Sequence, residues 1–167
     1  MARTNTTESQ VAEVEPGVLM LNMRDNRGGS RAVSTTTDLG KTWKEHESSR
    51  TALQEPVCMA SLISVKAKEN VLGKDILLFS NPNDAKNRHS ITIKASLDGG
   101  VTWLPENQLL LDAGWGWGYS CLTMIDKETV GILYESSVAH MTFQAIKLKD
   151  IITVSYTHLR AHETLRH

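Results

Sequence analysis

Several polar side chains stand at the ends of strand-like runs, where they are available for chemistry. Arg24 closes the apolar run over residues 18–23, and Arg88 precedes another strand-like run. Tyr119 follows a Gly-rich loop that contains two tryptophans. A guanidinium binds a carboxylate through paired, charge-assisted hydrogen bonds. A tyrosine, whose pKa is about 10, attacks a substrate only where a carboxylate takes its proton. Solvated strand ends and an aromatic cap are the alternatives that involve no chemistry.

Glutamates that can take such a proton lie on both sides of the tyrosine in the chain. Glu8 belongs to the polar segment NTTESQVAEV, which also contains Glu13. Glu13 and Glu15 fit the solvated end of a strand before the turn at Pro16. Glu135 ends the apolar string GILYE. The residues alone leave the choice among these glutamates open.

Metal and thiol chemistry have less support. His158 and His162 are four residues apart, a spacing that on a helix turns two imidazoles to one side. No third ligand accompanies them, so we expect no metal site. Cys58 and Cys121 are the two cysteines of the chain. Without a dense cysteine framework, two buried thiols are favoured over a disulfide.

A pattern that occurs twice defines the elements that position these residues. TTDLGKTW over residues 36–43 and SLDGGVTW over residues 96–103 both read Ser/Thr-x-Asp-x-Gly-x-Thr-Trp. An Asp followed two residues later by Gly suits a tight hairpin, in which Asp38 or Asp98 accepts hydrogen bonds from loop N–H groups. The tryptophan then closes the base of the hairpin. The pattern therefore predicts a repeated, antiparallel β unit.

Alternating apolar and polar residues support strands between these hairpins. Ile91, Ile93 and Ala95 are predicted to face one way and the residues between them the other. Strands are predicted over residues 18–24, 31–36, 57–65, 75–80, 89–96, 120–125, 130–135 and 141–148.

Composition argues against several classes of partner. The net charge is −1, from 18 Lys and Arg against 19 Asp and Glu, so no polybasic face indicates nucleic acid or membrane lipid. No apolar run reaches the length of about 18 residues that a membrane-spanning helix needs. The polar start MARTNTTESQ does not read as a secretory signal.

Beyond the repeated pattern, five local strings resemble bacterial sialidases of the six-bladed β-propeller type. They are LNMRD at 21–25, EPVCMASLI at 55–63, FSNP at 79–82, GYSCLTMID at 118–126 and ILYE at 132–135. The repeated segments resemble the Asp boxes of sialidases and of other propellers that share the box. In that family the boxes lie on outer hairpins away from the active site, so the resemblance makes Asp38 and Asp98 structural.

The resemblance implies an all-β fold, a partial six-bladed β-propeller with about three blades of antiparallel four-stranded sheets and Asp-box hairpins. Repeats of about 50 to 60 residues also give about three blades, whereas a closed ring needs at least about four. Residues 1–152 are therefore expected to be the C-terminal part of a sialidase catalytic propeller. Residues 153–167, TVSYTHLRAHETLRH, resemble a translated sequencing-adapter tail.

The resemblance also assigns roles to the five polar residues. Tyr119 matches the catalytic nucleophile of the family, and Glu8 matches the glutamate that activates it. Arg24 and Arg88 match the second and third arginines that bind the sialic acid carboxylate. Glu135 matches the glutamate that orients the first arginine.

Two parts of the family's machinery have no match in the sequence. The first arginine lies in a Phe/Tyr-Arg-Ile-Pro motif, and the acid/base aspartate follows it, but neither motif occurs here. Asp25, Asp84 and Asp112 lack the surroundings of that aspartate, so no acid/base residue is assigned. We therefore expect a fragment of a sialidase that is inactive as an isolated chain.

The implied reaction is retaining hydrolysis of terminal sialic acid from glycoproteins, glycolipids or oligosaccharides, with no cofactor. A secreted or periplasmic location is expected for the full-length parent. The alternatives are a non-catalytic Asp-box propeller that binds glycans or proteins, and an Asp-box glycosidase that acts on a neutral sugar. The set of Glu8, Arg24, Arg88, Tyr119 and Glu135 favours the sialidase, because neither alternative needs all of these groups.

Overall fold

The computed structural model describes residues 1–153, which are mostly β-structure. In chain order the strands are β1 (Thr6–Glu15), β2 (Val18–Asp25), β3 (Gly29–Ser30), β4 (Ala32–Thr36), β5 (Lys44–Glu45), β6 (Gln54–Glu55), β7 (Ser61–Val65), β8 (Ile76–Pro82), β9 (His89–Ser96), β10 (Gln108–Trp115), β11 (Ser120–Met124), β12 (Thr129–Tyr134) and β13 (Thr142–Lys147). A short helix α1 (Leu148–Ile151) and two 3-10 turns (Ala67–Glu69 and Pro105–Asn107) complete the elements. Over the described part of the chain, no helix is long and apolar enough to cross a membrane.

Three antiparallel sheets follow one another along the chain. Their strand orders are β1-β2-β4-β5, β7-β8-β9-β10 and β11-β12-β13, and β3 pairs with β6 in a separate two-stranded ribbon. The first strands of the three sheets are β1, β7 and β11. They lie side by side, since β7 contacts both β1 and β11. This is the arrangement of consecutive propeller blades, so the predicted all-β partial propeller of about three blades is confirmed. Within residues 1–153 the third sheet has three strands, because the chain after β13 turns into α1, which contacts β9 and β10.

Several predicted strands differ from the observed ones at their ends. β9 has the predicted bounds, whereas β7 begins at Ser61 rather than at residue 57. Val57 has a φ of 53°, which lies outside the strand region. Two long strands, β1 and β10, were not predicted. Both contain register shifts in their pairing, which interrupt the alternation on which strand prediction relies.

The two Asp boxes form hairpins as predicted, and they join β4 to β5 and β9 to β10. Asp38 accepts hydrogen bonds from the Thr36 hydroxyl at 2.8 Å and from the Thr42 N–H at 2.9 Å. Asp98 accepts the equivalent bonds from the Ser96 hydroxyl at 2.7 Å and the Thr102 N–H at 2.9 Å. The carboxylates therefore hold the hairpins closed.

Apolar residues fill the space between neighbouring sheets. Strand β8 is buried on both faces: Ile76 and Leu78 join the cluster between the second and third sheets. Leu77 and Phe79 join the cluster between the first and second sheets. There Trp103 of the second Asp box packs edge-on against Phe79, with ring centroids 5.8 Å apart. The three sheets are thus joined by two continuous cores.

Candidate active site

The five polar residues singled out in the sequence lie at the same end of the sheets, where strands begin or finish. Glu8 is near the start of β1 and Arg24 near the end of β2, which are paired antiparallel. Arg88 immediately precedes β9, and Tyr119 immediately precedes β11. Glu135 immediately follows β12. The Asp boxes follow β4 and β9, at the opposite end of the strands.

A β-bulge directs Glu8 towards the other residues. Thr7 pairs with Arg24 and Ser9 pairs with Met23, so Glu8 is the extra residue of β1. Its φ of 20° is unusual for a residue other than glycine. Bulges of this kind redirect a side chain and are common beside functional sites.

The Glu8 carboxylate links the tyrosine to the first of the two arginines. The Tyr119 hydroxyl donates a hydrogen bond to Glu8 Oε1, and Arg24 Nη1 donates one to Glu8 Oε2. Arg24 Nη1 also lies 3.5 Å from the Tyr119 hydroxyl oxygen. By contrast, Glu13 accepts a hydrogen bond from the Gly17 N–H at 2.9 Å in the turn between β1 and β2. Of these two glutamates, it is Glu8 that contacts the tyrosine.

The pKa shifts in this cluster keep the proton on the tyrosine and the negative charge on the glutamate in the resting site. Burial raises the pKa of Glu8, but the hydrogen bonds from Tyr119 and Arg24 outweigh it and leave the pKa below its ordinary value. The hydrogen bond to Glu8 raises the pKa of Tyr119, burial adds to the rise, and Arg24 opposes it. At neutral pH the pair is therefore a phenol that donates to a carboxylate.

Arg88 lies over the ring of the tyrosine. Its Nη1 donates to the Trp117 carbonyl at 3.0 Å, and its Nη2 donates to the Val57 carbonyl at 2.9 Å. These bonds hold the guanidinium carbon 5.8 Å from the centroid of the Tyr119 ring. The phenol is thus flanked by two guanidinium groups, one of which already contacts a carboxylate.

Glu135 approaches the tyrosine through the main chain. Its Oε2 accepts a hydrogen bond from the Tyr119 N–H at 3.0 Å. The Glu135 N–H in turn donates to the Tyr119 carbonyl at 2.9 Å. These two bonds hold the start of β11 against the end of β12 and fix the main chain of Tyr119.

A buried ion pair beneath the site was not identified from the sequence. Arg31 and Glu55 are both fully buried, with 3.0 Å between Arg31 Nη1 and Glu55 Oε2. Glu55 also accepts hydrogen bonds from the N–H groups of Asp25 at 2.8 Å and Cys58 at 3.0 Å. Arg31 Nη2 lies 3.5 Å from the Glu8 carbonyl, directly beneath the bulge. The one available signal was the Glu at the start of the string EPVCMASLI, which was noted for its resemblance alone.

Three carboxylates considered for acid/base chemistry serve the local structure. Asp25 is buried and forms ion pairs with Arg27 at 3.1 Å and Arg50 at 3.0 Å. Asp84 accepts two backbone hydrogen bonds of 2.7 Å within its own turn. Asp112 accepts a hydrogen bond of 2.7 Å from a backbone N–H of the loop after β12.

The cysteines are unpaired, and only one of them is buried as expected. Cys58 is fully buried next to the site, and burial raises the pKa of its thiol to about 11 although Arg88 and Arg24 oppose the rise. The expectation of a second buried thiol is wrong, because Cys121 is exposed on the face of β11 opposite to Leu122. His158 and His162 lie outside the described residues.

The chain has consecutive antiparallel blades, two Asp boxes and a polar cluster at the end of the strands opposite to the boxes. These features define a segment of a BNR-type propeller. The chain belongs to the family of the BNR repeat-like domain, which matches residues 1–132. It is 83% identical over 151 residues to a sialidase of Bacteroides fragilis strain YCH46, covering 90% of this chain and 28% of that protein. It is 34% identical over 131 residues to a sialidase of Micromonospora viridifaciens, covering 77% of this chain and 20% of that protein.

A solved structure is similar over the same region. The Hadza microbial sialidase Hz136 superimposes with a TM-score of 0.88 at 76% identity, over 90% of this chain and 29% of that chain. The chain therefore spans less than a third of each of these relatives. It corresponds to one part of a sialidase propeller.

Proposed function

We propose that the chain is the C-terminal part of the catalytic propeller of a retaining exo-α-sialidase, which removes terminal sialic acid from glycoconjugates. The observation that carries this proposal is the hydrogen bond from the Tyr119 hydroxyl to the Glu8 carboxylate, between two arginines. A binding propeller has no need of a proton acceptor for a tyrosine. A glycosidase for neutral sugars has no need of the arginines and more commonly uses two carboxylates.

The arginines account for the recognition of an acidic sugar. Arg24 and Arg88 bind the carboxylate on the anomeric carbon of sialic acid through charge-assisted hydrogen bonds. That carboxylate would repel an anionic nucleophile, whereas the neutral phenol of Tyr119 is not repelled. The substrate class and the unusual nucleophile therefore have the same electrostatic cause.

The tyrosine then acts as a nucleophile. As its oxygen bonds to the anomeric carbon, the phenol proton moves to Glu8, and the glycosidic bond breaks with its electron pair remaining on the leaving oxygen. An acid outside this set of residues protonates that oxygen. Water then attacks the anomeric carbon from the face that the leaving group left, and its proton goes to the conjugate base of that acid. The proton on Glu8 returns to the departing phenolate of Tyr119, and the two displacements together retain the configuration. The proton acceptor is available because Glu8 is ionised at neutral pH.

The first arginine and the acid must come from outside this chain, so we propose that the isolated chain has no activity. Hydrolysis of a fluorogenic sialoside by the purified 167-residue chain would overturn this part of the proposal.

The assignment is tested by Tyr119→Phe in the full-length enzyme. We expect turnover to be lost while the binding of sialic acid is retained, because Arg24 and Arg88 remain. Glu8→Gln keeps the shape but removes the proton acceptor, and kcat is expected to fall by about 10²- to 10⁴-fold. The matched control is Tyr134→Phe, which removes a buried hydroxyl that accepts a hydrogen bond from Gln144 at 2.9 Å. Unchanged turnover in Tyr119→Phe would refute the proposal.

A further inference from the structure

Two exposed tryptophans stand next to the candidate active site. Trp115 and Trp117 are 67% and 70% exposed, whereas Trp103 of the second Asp box is 7% exposed. Large aromatic side chains that serve packing are mostly buried. Trp115 packs on one side against the His89 ring, with centroids 5.3 Å apart. Both indole rings nevertheless leave most of their surface exposed, and the exposed faces are free to contact a ligand.

The glycines around the tryptophans explain how the rings reach the surface. A Cβ on Gly114 would lie 2.4 Å from the Cβ of Ser137, and one on Gly118 would lie 2.6 Å from Cγ of Pro82. A Cβ on Gly116 would lie 3.0 Å from the Glu135 carbonyl oxygen. The backbone of residues 114–118 thus lies directly against the neighbouring segments. Because glycines and tryptophans alternate, the two indole rings are turned to the open side.

The tryptophans form one wall of a groove with a volume of about 380 Å³. The loop of residues 136–140 forms the other wall. Asp112 holds this loop in place, accepting hydrogen bonds from the Ser137 N–H at 2.7 Å and the Gly114 N–H at 2.8 Å. The lining residues include no Asp, Glu, Lys or Arg, and His140 is the one titratable side chain among them. The groove therefore has an aromatic wall and carries no permanent charge, and hydrogen bonds to Asp112 connect its two walls.

The groove is continuous with the candidate active site. The Trp117 carbonyl accepts a hydrogen bond from Arg88 Nη1 at 3.0 Å. The Gly116 N–H donates to the Arg88 carbonyl at 3.1 Å. Tyr119 follows two residues after Trp117. A ligand whose carboxylate is bound at Arg88, with its anomeric carbon at Tyr119, therefore lies next to this groove.

We propose that the groove of Trp115 and Trp117 binds the neutral hexopyranoside to which the sialic acid is attached. This inference rests on the proposed sialidase function and adds a subsite for the leaving group. The apolar C–H face of a pyranose fits the negatively charged face of an indole ring. The absence of charged side chains from the lining favours a neutral sugar over an acidic one. The volume lies within the range of about 300–1,000 Å³ that is usual for small-molecule sites.

The test compares two substrates of the full-length enzyme that differ only in the leaving group. One is 3′-sialyllactose, whose galactose would occupy the groove, and the other is methyl α-sialoside, which has no sugar there. The variants are Trp115→Ala and Trp117→Ala. We expect each to lower the ratio of kcat/KM for the lactoside over the methyl sialoside by about tenfold, because apolar contact area with the sugar is lost. Trp115→Phe and Trp117→Phe should restore part of that ratio.

The matched control is Phe143→Ala, which removes a ring that is 59% exposed on β13 and does not line the groove. It should leave the ratio unchanged. An unchanged ratio in both tryptophan variants, with a wild-type enzyme that cleaves both substrates, would overturn the groove assignment alone. A wild-type enzyme that cleaves neither sialoside would overturn the proposed function and the groove with it.

Discussion

The buried pair of Arg31 and Glu55 makes the strongest prediction about stability. Glu55 is fully buried and accepts three hydrogen bonds, from Asp25 N–H at 2.8 Å, Cys58 N–H at 3.0 Å and Arg31 Nη1 at 3.0 Å. Glu55→Gln has the same size but has one acceptor oxygen and no charge. The amide NH₂ of the glutamine must therefore point at one or more of these N–H donors. The substitution also leaves the buried guanidinium without a counter-charge. Breaking a buried pair in this way costs about 3–5 kcal/mol.

The assay is urea unfolding of the purified chain, followed by the fluorescence of its four tryptophans. With a urea dependence of about 2 kcal/mol per M, a loss of about 4 kcal/mol lowers the unfolding midpoint by about 2 M. The control is Glu45→Gln, since Glu45 is half exposed and its pair with Arg3 contributes at most about 1 kcal/mol.

The double variant Arg31→Met with Glu55→Leu separates the charge from the hydrogen bonds. It removes both charges, so it should recover a large part of the free energy of unfolding lost by Glu55→Gln. A loss below about 1 kcal/mol in Glu55→Gln would refute the reasoning. Equal losses in the single and double variants would show that the buried charge is not the cause.

Three further predictions concern thiols, pH and backbone conformation. Cys121 should be alkylated well before Cys58, whose pKa of about 11 and full burial suppress the thiolate, as measured by peptide mass spectrometry. The hydrogen bond from the Thr42 N–H lowers the pKa of Asp38 to about 2 from 3.8. The folded state gains this stabilisation fully above pH 3.8 and loses it as the pH falls through about 2. In acid titration, Asp38→Asn should therefore lose less stability over that pH range than the unmodified chain does. Gly118→Ala should lower both kcat and the melting temperature, because Gly118 has a φ of 90° and an added Cβ would lie 2.6 Å from Pro82; unchanged values would contradict this.

The propeller architecture could be predicted because its signals are local. The Asp box combines a carboxylate, a glycine and a tryptophan within eight residues, and each has a direct role in the hairpin. Arg24, Tyr119 and Glu135 could be singled out because they occur in strings that resemble one family, and Glu8 and Arg88 because of their spacing from those strings. Because neighbouring strands are antiparallel, these residues then come together at one end of the sheets.

Other features depend on contacts between distant segments and left no periodic signal. Arg31 and Glu55 meet through the fold, and an arginine at the start of a strand reads as exposed. Strand β1 was missed because the bulge at Glu8 interrupts its alternation, and that bulge also directs the carboxylate to Tyr119. The exposure of Cys121 depends on which face of β11 meets the neighbouring sheet.

The proposed reaction requires that Tyr119 becomes covalently bonded to the sugar. The most direct measurement treats the full-length enzyme with a sialosyl fluoride that carries a second fluorine next to the anomeric carbon, which slows release of the intermediate. Peptide mass spectrometry then locates the adduct. We expect a sialosyl adduct on Tyr119 that is absent from Tyr119→Phe. An adduct on Glu8 or another carboxylate, with Tyr119 unmodified, would contradict it.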